Sequence, residues 1–273
     1  MDAGRREVFS ERLESMLPPA ASAEEVLALG PRLLDFDTPE AGFKVLDAHT
    51  RSGATERRRH ELVCGLVWHW LRGLGHEVYR DVSLGSLPKD LRPLGTSKLS
   101  RRVDLVSVDP ASRNVVLVEV TIVRDDHLED RAQKKRKKYA DLPDALAQAP
   151  RVQAQGLRVC EAVVFALGVF GTIPSRTVED LARVSGGPST EDQIKILVQT
   201  ARQRVLEENT WPFSANRRRP AGDQSFPTVS DPSSGNGARP RGTAAYLKQR
   251  QAANLINRHA AVKKRKKSPK KKR

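Results

Sequence analysis

The sequence predicts an α/β domain, a mixed sheet flanked by helices, followed by a basic C-terminal tail that does not fold alone. Three observations carry this. Residues 115–123, VVLVEVTIV, are apolar and β-branched almost throughout, the pattern of a central strand covered on both faces. Leu128, Ala132, Lys135, Tyr139 and Leu142 recur at spacings of four, three, four and three, one face of a helix that follows directly. The net charge of +15 is carried by residues 214–273, with 17 Lys and Arg against Asp223 and Asp231, whereas residues 1–213 balance 31 bases with 31 acids.

The elements follow in order. Residues 1–55 hold short helical segments at 5–16 and 23–29, split by Pro18-Pro19 and Gly30-Pro31, and read as a loosely attached, partly ordered extension. The domain is expected over 56–213. Thr55 is placed to N-cap a helix over 56–73, with Leu62, Leu66, Val67 and Trp70 on its buried side and Gly73 and Gly75 at its end. Residues 76–82 alternate and predict an outer strand. Residues 83–100 form a polar loop rich in Gly, Pro and Ser. Its bases, Lys89, Arg92 and Lys98, run on into Arg101 and Arg102 and suit phosphate contacts.

Residues 103–108, VDLVSV, predict the next strand, and 109–114, DPASRN, are turn chemistry leading into the central strand. After the lysine-rich helix, Pro143 restarts a helix to about Ala149. A third core strand is expected over 158–167, and helices over 175–184 and 189–209, the second with Ile194, Leu197, Val198, Ala201 and Val205 on one face. Residues 214–242 have the composition of a disordered linker. Residues 243–273 predict a short helix over 244–261 and then KKRKKSPKKKR, a run of the kind that serves as a nuclear address or nucleic-acid tail. A nuclear location and DNA as partner are the expectations. Cys64 and Cys160 read as small buried hydrophobes of a reduced intracellular protein, with no zinc spacing. No apolar run reaches 18 residues, so no membrane span is expected.

The chemistry concentrates at residues 101–139. A carboxylate in the middle of an apolar strand is costly unless paired, protonated or metal-bound, which singles out Glu119. Asp104 lies on the neighbouring strand of the hairpin, where the two carboxylates can converge as hard ligands for Mg²⁺ or Mn²⁺. Such a site suits phosphodiester hydrolysis. Lys135 is the cation on an otherwise core-facing helical stripe and is the candidate to act on water or phosphate; Lys138, three residues on, is the reserve. Lys134, Arg136 and Lys137 point elsewhere, to solvent or to DNA.

Strand-Asp, hairpin, strand-Glu and lysine, in that order, resemble the PD-(D/E)XK nuclease superfamily. Val103 stands where that motif has proline, and Thr121 where it has lysine. The restriction-like endonuclease domain of site-specific non-LTR retrotransposons is similar in carrying the lysine on the next helix, four residues before a tyrosine. Lys135-Arg136-Lys137-Lys138-Tyr139 matches that pattern. Arg59-His60 with Glu61, and the apolar stretch 162–171, also look like that subfamily, over about residues 57–185. The resemblance implies a restriction-endonuclease-like fold, Glu61 as a further metal ligand, and Arg59 and His60 near DNA. It implies a domain that nicks target DNA to prime reverse transcription, the polymerase being encoded elsewhere. A non-catalytic nuclear DNA-binding protein that keeps the fold is the alternative, and a decayed reading frame is the third reading.

Overall fold

Strand β3 (Asn114–Val123) is the axis of the molecule, with every residue buried except its two ends. Only a strand covered on both faces can bury such a run. The computed structural model describes residues 3–94, 97–185 and 191–214; the expected basic tail, the 244–261 helix and all of the linker but Ser214 lie outside them. β2 (Arg102–Asp109) runs antiparallel along one edge of β3, with Leu105 opposite Val118 and Asp109 opposite Asn114. The turn between them passes through Arg113 at φ +58°, and Asp109 Oδ1 accepts from the Ala111 N–H at 2.9 Å, an Asx turn. β1 (Glu77–Ser83) pairs antiparallel with the far edge of β2. On the other edge of β3 run β4 (Arg158–Val159) and β5 (Val163–Gly168), both parallel to it. The sheet is therefore mixed and five-stranded. The single strand expected over 158–167 is two pieces: Cys160 N–H still reaches Val115 O at 2.9 Å, but four steps from Val159 to Val163 match only three on β3, so the pairing lapses between them.

Helices cover both faces. Val116, Val118, Val120 and Ile122 pack toward α4 (Gly53–Gly73) and α9 (Glu191–Thr210), meeting Val63, Val67, Ile194, Ala201 and Val205. Val115 and Leu117 face the other way, into a core built with Tyr139 of α5 (Leu128–Tyr139), Leu142 and Leu146 of α6 (Leu142–Ala147) and Val152 of α7 (Pro150–Gln155). Pro143 sits in the first turn of α6, where its missing N–H costs nothing. α8 (Ser175–Ser185) packs along β5. No helix among the described residues is long and apolar enough to cross a membrane.

Four expectations are corrected. Residues 1–55 are no loose extension: α1 (Ala3–Glu14), α2 (Ala23–Leu29) and α3 (Pro39–Thr50) bury Phe9, Leu13, Val26, Leu33 and Leu46 in the same core as α4 and α9. The loop over 83–100 buries Leu84, Leu87 and Leu91 completely in the second core. The buried stripe of α4 is Thr55, Arg59, Val63, Val67 and Leu71, rotated from the one expected, and the helix begins at Gly53 after Ser52, with Thr55 inside it. The cause is α9, which packs along α4. Arg59, expected at DNA, is 2% exposed; its guanidinium donates to Thr50 O at 2.8 Å and Asn209 Oδ1 at 2.5 Å. Burial pulls its pKa down to about 10. Arg59 thus ties the end of α3 and the end of α9 to α4.

Arg59→Ala strips two buried acceptors of their donor and leaves a cavity. Urea unfolding should read a loss of about 2–4 kcal/mol. DNA affinity of the folded variant should change no more than removal of one distant charge requires.

Candidate functional site

Both pairings of β2 lapse at Asp104. The β2–β3 ladder ends at Leu105 opposite Val118, and the β1–β2 register skips Asp81 and Asp104 between Arg80–Leu105 and Val82–Val103. Asp81 sits at φ +50°, so β1 departs from strand geometry at that one residue, and the β1–β2 register resumes unchanged at Val82 opposite Val103. Released from the ladder, Asp104 turns its carboxylate inward. Its Oδ2 accepts the Val120 N–H at 2.8 Å, filling the place of a strand carbonyl, and also meets His60 Nε2 at 3.1 Å. His60 comes from α4 on one face of the sheet.

Glu119 stands next to the end of that ladder and belongs to the other face, where α5 lies. Its side chain is 6% exposed. Oε1 accepts from Lys135 Nζ in a short ion-paired contact and from Tyr139 OH at 3.1 Å. Oε2 is buried with no hydrogen-bond partner among the described residues. Burial first, then the nearby Asp104 charge, push the Glu119 pKa above the usual carboxylate range, against the pull of Lys135 and Tyr139. Burial and Glu119 raise the Tyr139 phenol far above its ordinary value, so it remains a hydrogen-bond donor. The hydrogen bond to Asp104 raises the His60 pKa, overcoming the opposite effect of burial.

Beside this cluster opens a cleft of about 500 Å³ lined by His60, Glu61, Arg57, Arg131, Lys135 and the consecutive residues 120–123. Four consecutive strand residues line it because β2 has left and the edge of β3 is bare. Asp104 and Glu119 do not line the cleft; His60 and Lys135, each bonded to one of them, do.

The ligand atoms of His60, Cys64 and Asp104 lie within 4.8 Å of one another and could hold a metal ion. Burial drives the Cys64 thiol strongly upward in pKa, which opposes the thiolate that a metal needs. The orphan Oε2 of Glu119 and the Asp104 carboxylate are harder, oxygen-only donors. Asp104 is near enough for its charge to raise the Glu119 pKa, but the two carboxylates approach from opposite faces of the sheet, so a shared ion would have to sit at the unpaired edge between them.

The remaining sequence candidates fall as follows. Lys135 touches Glu119, whereas Lys138 is one step removed, its Nζ 2.8 Å from Tyr139 OH and 4.6 Å from the ring centroid. Glu61 is turned away from the carboxylate pair, exposed and bound to Arg80 at 2.6 Å on the rim of the cleft. His60 is engaged by Asp104 rather than directed to solvent. Arg101 donates to Lys138 O at 2.7 Å, Arg102 to Asp81 at 2.5 Å, and Lys134 to Asp130 at 2.6 Å. Lys137 is exposed and lines a second cleft. Tyr139, read in the sequence as core-facing and as the tyrosine that marks the lysine motif, was given no role of its own at the site. Its signal was a phenol one helical turn from the anomalous lysine. No known protein family matches the sequence, and no curated protein matches it either.

Glu119→Gln removes a buried charge whose pKa is raised on folding. A raised carboxylate weighs against the fold above its folded pKa and not below its unfolded one. The metal-free variant should therefore unfold at higher denaturant than the parent at pH 7–8. The gap should close as pH falls through the raised pKa toward the ordinary carboxylate range. A variant less stable at neutral pH would mean that the pair with Lys135 outweighs the burial of Glu119.

Proposed function

We propose that the chain is a metal-dependent DNA endonuclease with a restriction-endonuclease-like PD-(D/E)XK fold, related to the target-nicking domain of site-specific non-LTR retrotransposons. The observation that carries the reading is Glu119: a carboxylate at the centre of an apolar strand, one oxygen on Lys135, the other buried without a partner. A group so placed is expensive for folding and is retained for chemistry more readily than for stability.

Glu119 Oε2 and Asp104 would hold a Mg²⁺ or Mn²⁺ ion, two carboxylates being the usual protein share of such a site. When bound, that ion would supply an activated water and stabilise the leaving oxygen. The chain's own residues do the rest. Lys135 opposes the burial penalty on the Glu119 charge and brings an ammonium to the cleft wall, where it would offset charge developing on a phosphate. Tyr139 orients the Glu119 carboxylate through its hydroxyl. Arg57 and Arg131 on the cleft wall would contact a phosphodiester strand, with Glu56 and Glu61 beside them holding the net positive charge of the lining to a small excess. The basic tail would add a nuclear address.

One observation favours the non-catalytic reading: His60 and Lys135 already pair with Asp104 and Glu119 without any ion. The experiment that separates the two is plasmid nicking in Mg²⁺, Mn²⁺ and EDTA. Nicking should depend on metal and vanish in Glu119→Gln while DNA binding persists. Lys135→Ala should lower the rate by about 10²-fold or more at saturating protein. Lys134→Ala, on the solvent side of α5, should weaken binding a few fold. Equal rate losses at the two lysines would indicate a generic basic run. Parent protein that binds DNA and never nicks it would support the non-catalytic alternative.

A further inference from the structure

A second cleft, of about 290 Å³, lies on the opposite flank of α5 from Lys135, against α8. Its lining includes four cations, Arg136, Lys137, Arg176 and Arg183, and two acids, Asp180 and Glu161. Asp180 is 1% exposed and serves three guanidiniums at once. Its Oδ1 takes Arg176 Nε at 3.1 Å and a short contact from Arg183, and its Oδ2, itself buried without a hydrogen-bond partner among the described residues, lies 3.6 Å from Arg136 Nη2, an ion pair too long for a hydrogen bond. The outer acids do not redress the balance: Glu161 and Glu129 stand 3.9 and 3.7 Å from Arg183 and Arg136 and are largely exposed.

Two facts point to a ligand. Arg136, with its side chain 23% exposed, keeps Nε and Nη2 buried without a hydrogen-bond partner among the described residues. Buried donors of this kind cost free energy until an acceptor arrives. Moreover, the surplus positive charge is set in a fork geometry that Asp180 holds in place, and guanidinium forks match the oxygens of a phosphate.

We propose that the cleft between α5 and α8 binds a backbone phosphate of the DNA strand whose scissile bond lies at Glu119 and Lys135. This rests on the nuclease reading for its substrate. A helix with its side chains is about 10–12 Å across, and a strand advances about 3.4 Å per nucleotide. The phosphate held here is then about three nucleotides from the reacting one. α5 is the post that the strand crosses, with Lys135 on one flank and Arg136 and Lys137 on the other. Asp180 is a positioning residue, its charge spent on Arg176 and Arg183.

The test is DNA binding by the full chain in EDTA, read as fluorescence anisotropy of two unrelated labelled duplexes across a NaCl series. Arg176→Gln/Arg183→Gln should weaken binding to both duplexes alike and make the salt slope shallower by about one. Lys195→Gln/Arg204→Gln removes the same charge from exposed positions on α9 and should cost less, with the slope unchanged. Lys137→Gln, exposed and independent of Asp180, should show a smaller loss of the same kind and serves if the arginine pair disturbs the fold. Equal losses in the two double variants, no loss at the cleft, or a parent protein that does not bind DNA each overturn the proposal. So does thermal protection by inorganic phosphate that the cleft variants lose while their DNA affinity stays unchanged, since the cleft would then serve a free anion. Because binding is read without metal, a failure to nick DNA counts against catalysis and leaves this result intact.

Discussion

A carboxylate at the centre of the sheet has to be answered by a cation, and Lys135 answers Glu119 from α5. Much of the local architecture follows from that contact. It fixes the rotation of α5, since Leu128, Ala132 and Tyr139 must then face the strands. It brings the Tyr139 hydroxyl onto the same oxygen and leaves the second oxygen of Glu119 buried and unanswered. A core built for stability alone would have placed another valine there; the flanking residues of β3 are apolar and fill both cores without help.

The second determinant is the departure of β2 at Asp104. While strands stay paired, a sheet separates what lies above it from what lies below. Where the pairing stops, His60 from α4 and Lys135 from α5 come to line one cleft. The Asp104 carboxylate bridges the break, accepting a backbone N–H of β3 and a side chain of α4. β1 follows β2 past this point, pairing again at Val82 opposite Val103 after the irregular Asp81, so the break lies between β2 and β3 alone.

What the sequence revealed, and what it hid, follows from how far each signal reaches. Glu119 and Lys135 were legible because each breaks a regular apolar pattern, one of period two and one of period 3.6, within a few residues of itself. The hairpin was legible from its turn. Arg59 was not: an arginine among arginines near a helix start looks solvated, and its burial is decided by Thr50 and Asn209, the latter 150 residues away. The helices of residues 1–55 misled for the same reason. They are short, separated by turns, and become core only because α4 and α9 offer them an apolar surface. The leucines at 84, 87 and 91 are spaced by three and four within a stretch whose Gly, Pro and Ser content signals loop, and composition outweighed their spacing. Glu61 was placed near the metal by its neighbours in sequence, but its carboxylate pairs with Arg80 on the rim.

The bare edge of β3 along the cleft also bears on how copies of this protein behave in concentrated solution. A stretch of unpaired strand is a template on which a strand of another molecule can add, the first step toward aggregation. Here the stretch lies in a cleft walled by the charged side chains of Glu56, Arg57, Glu61, Arg131 and Lys135, which an incoming strand would have to desolvate. These side chains therefore act as gatekeepers. The molecule can keep an open edge in its sheet without offering it to its own kind.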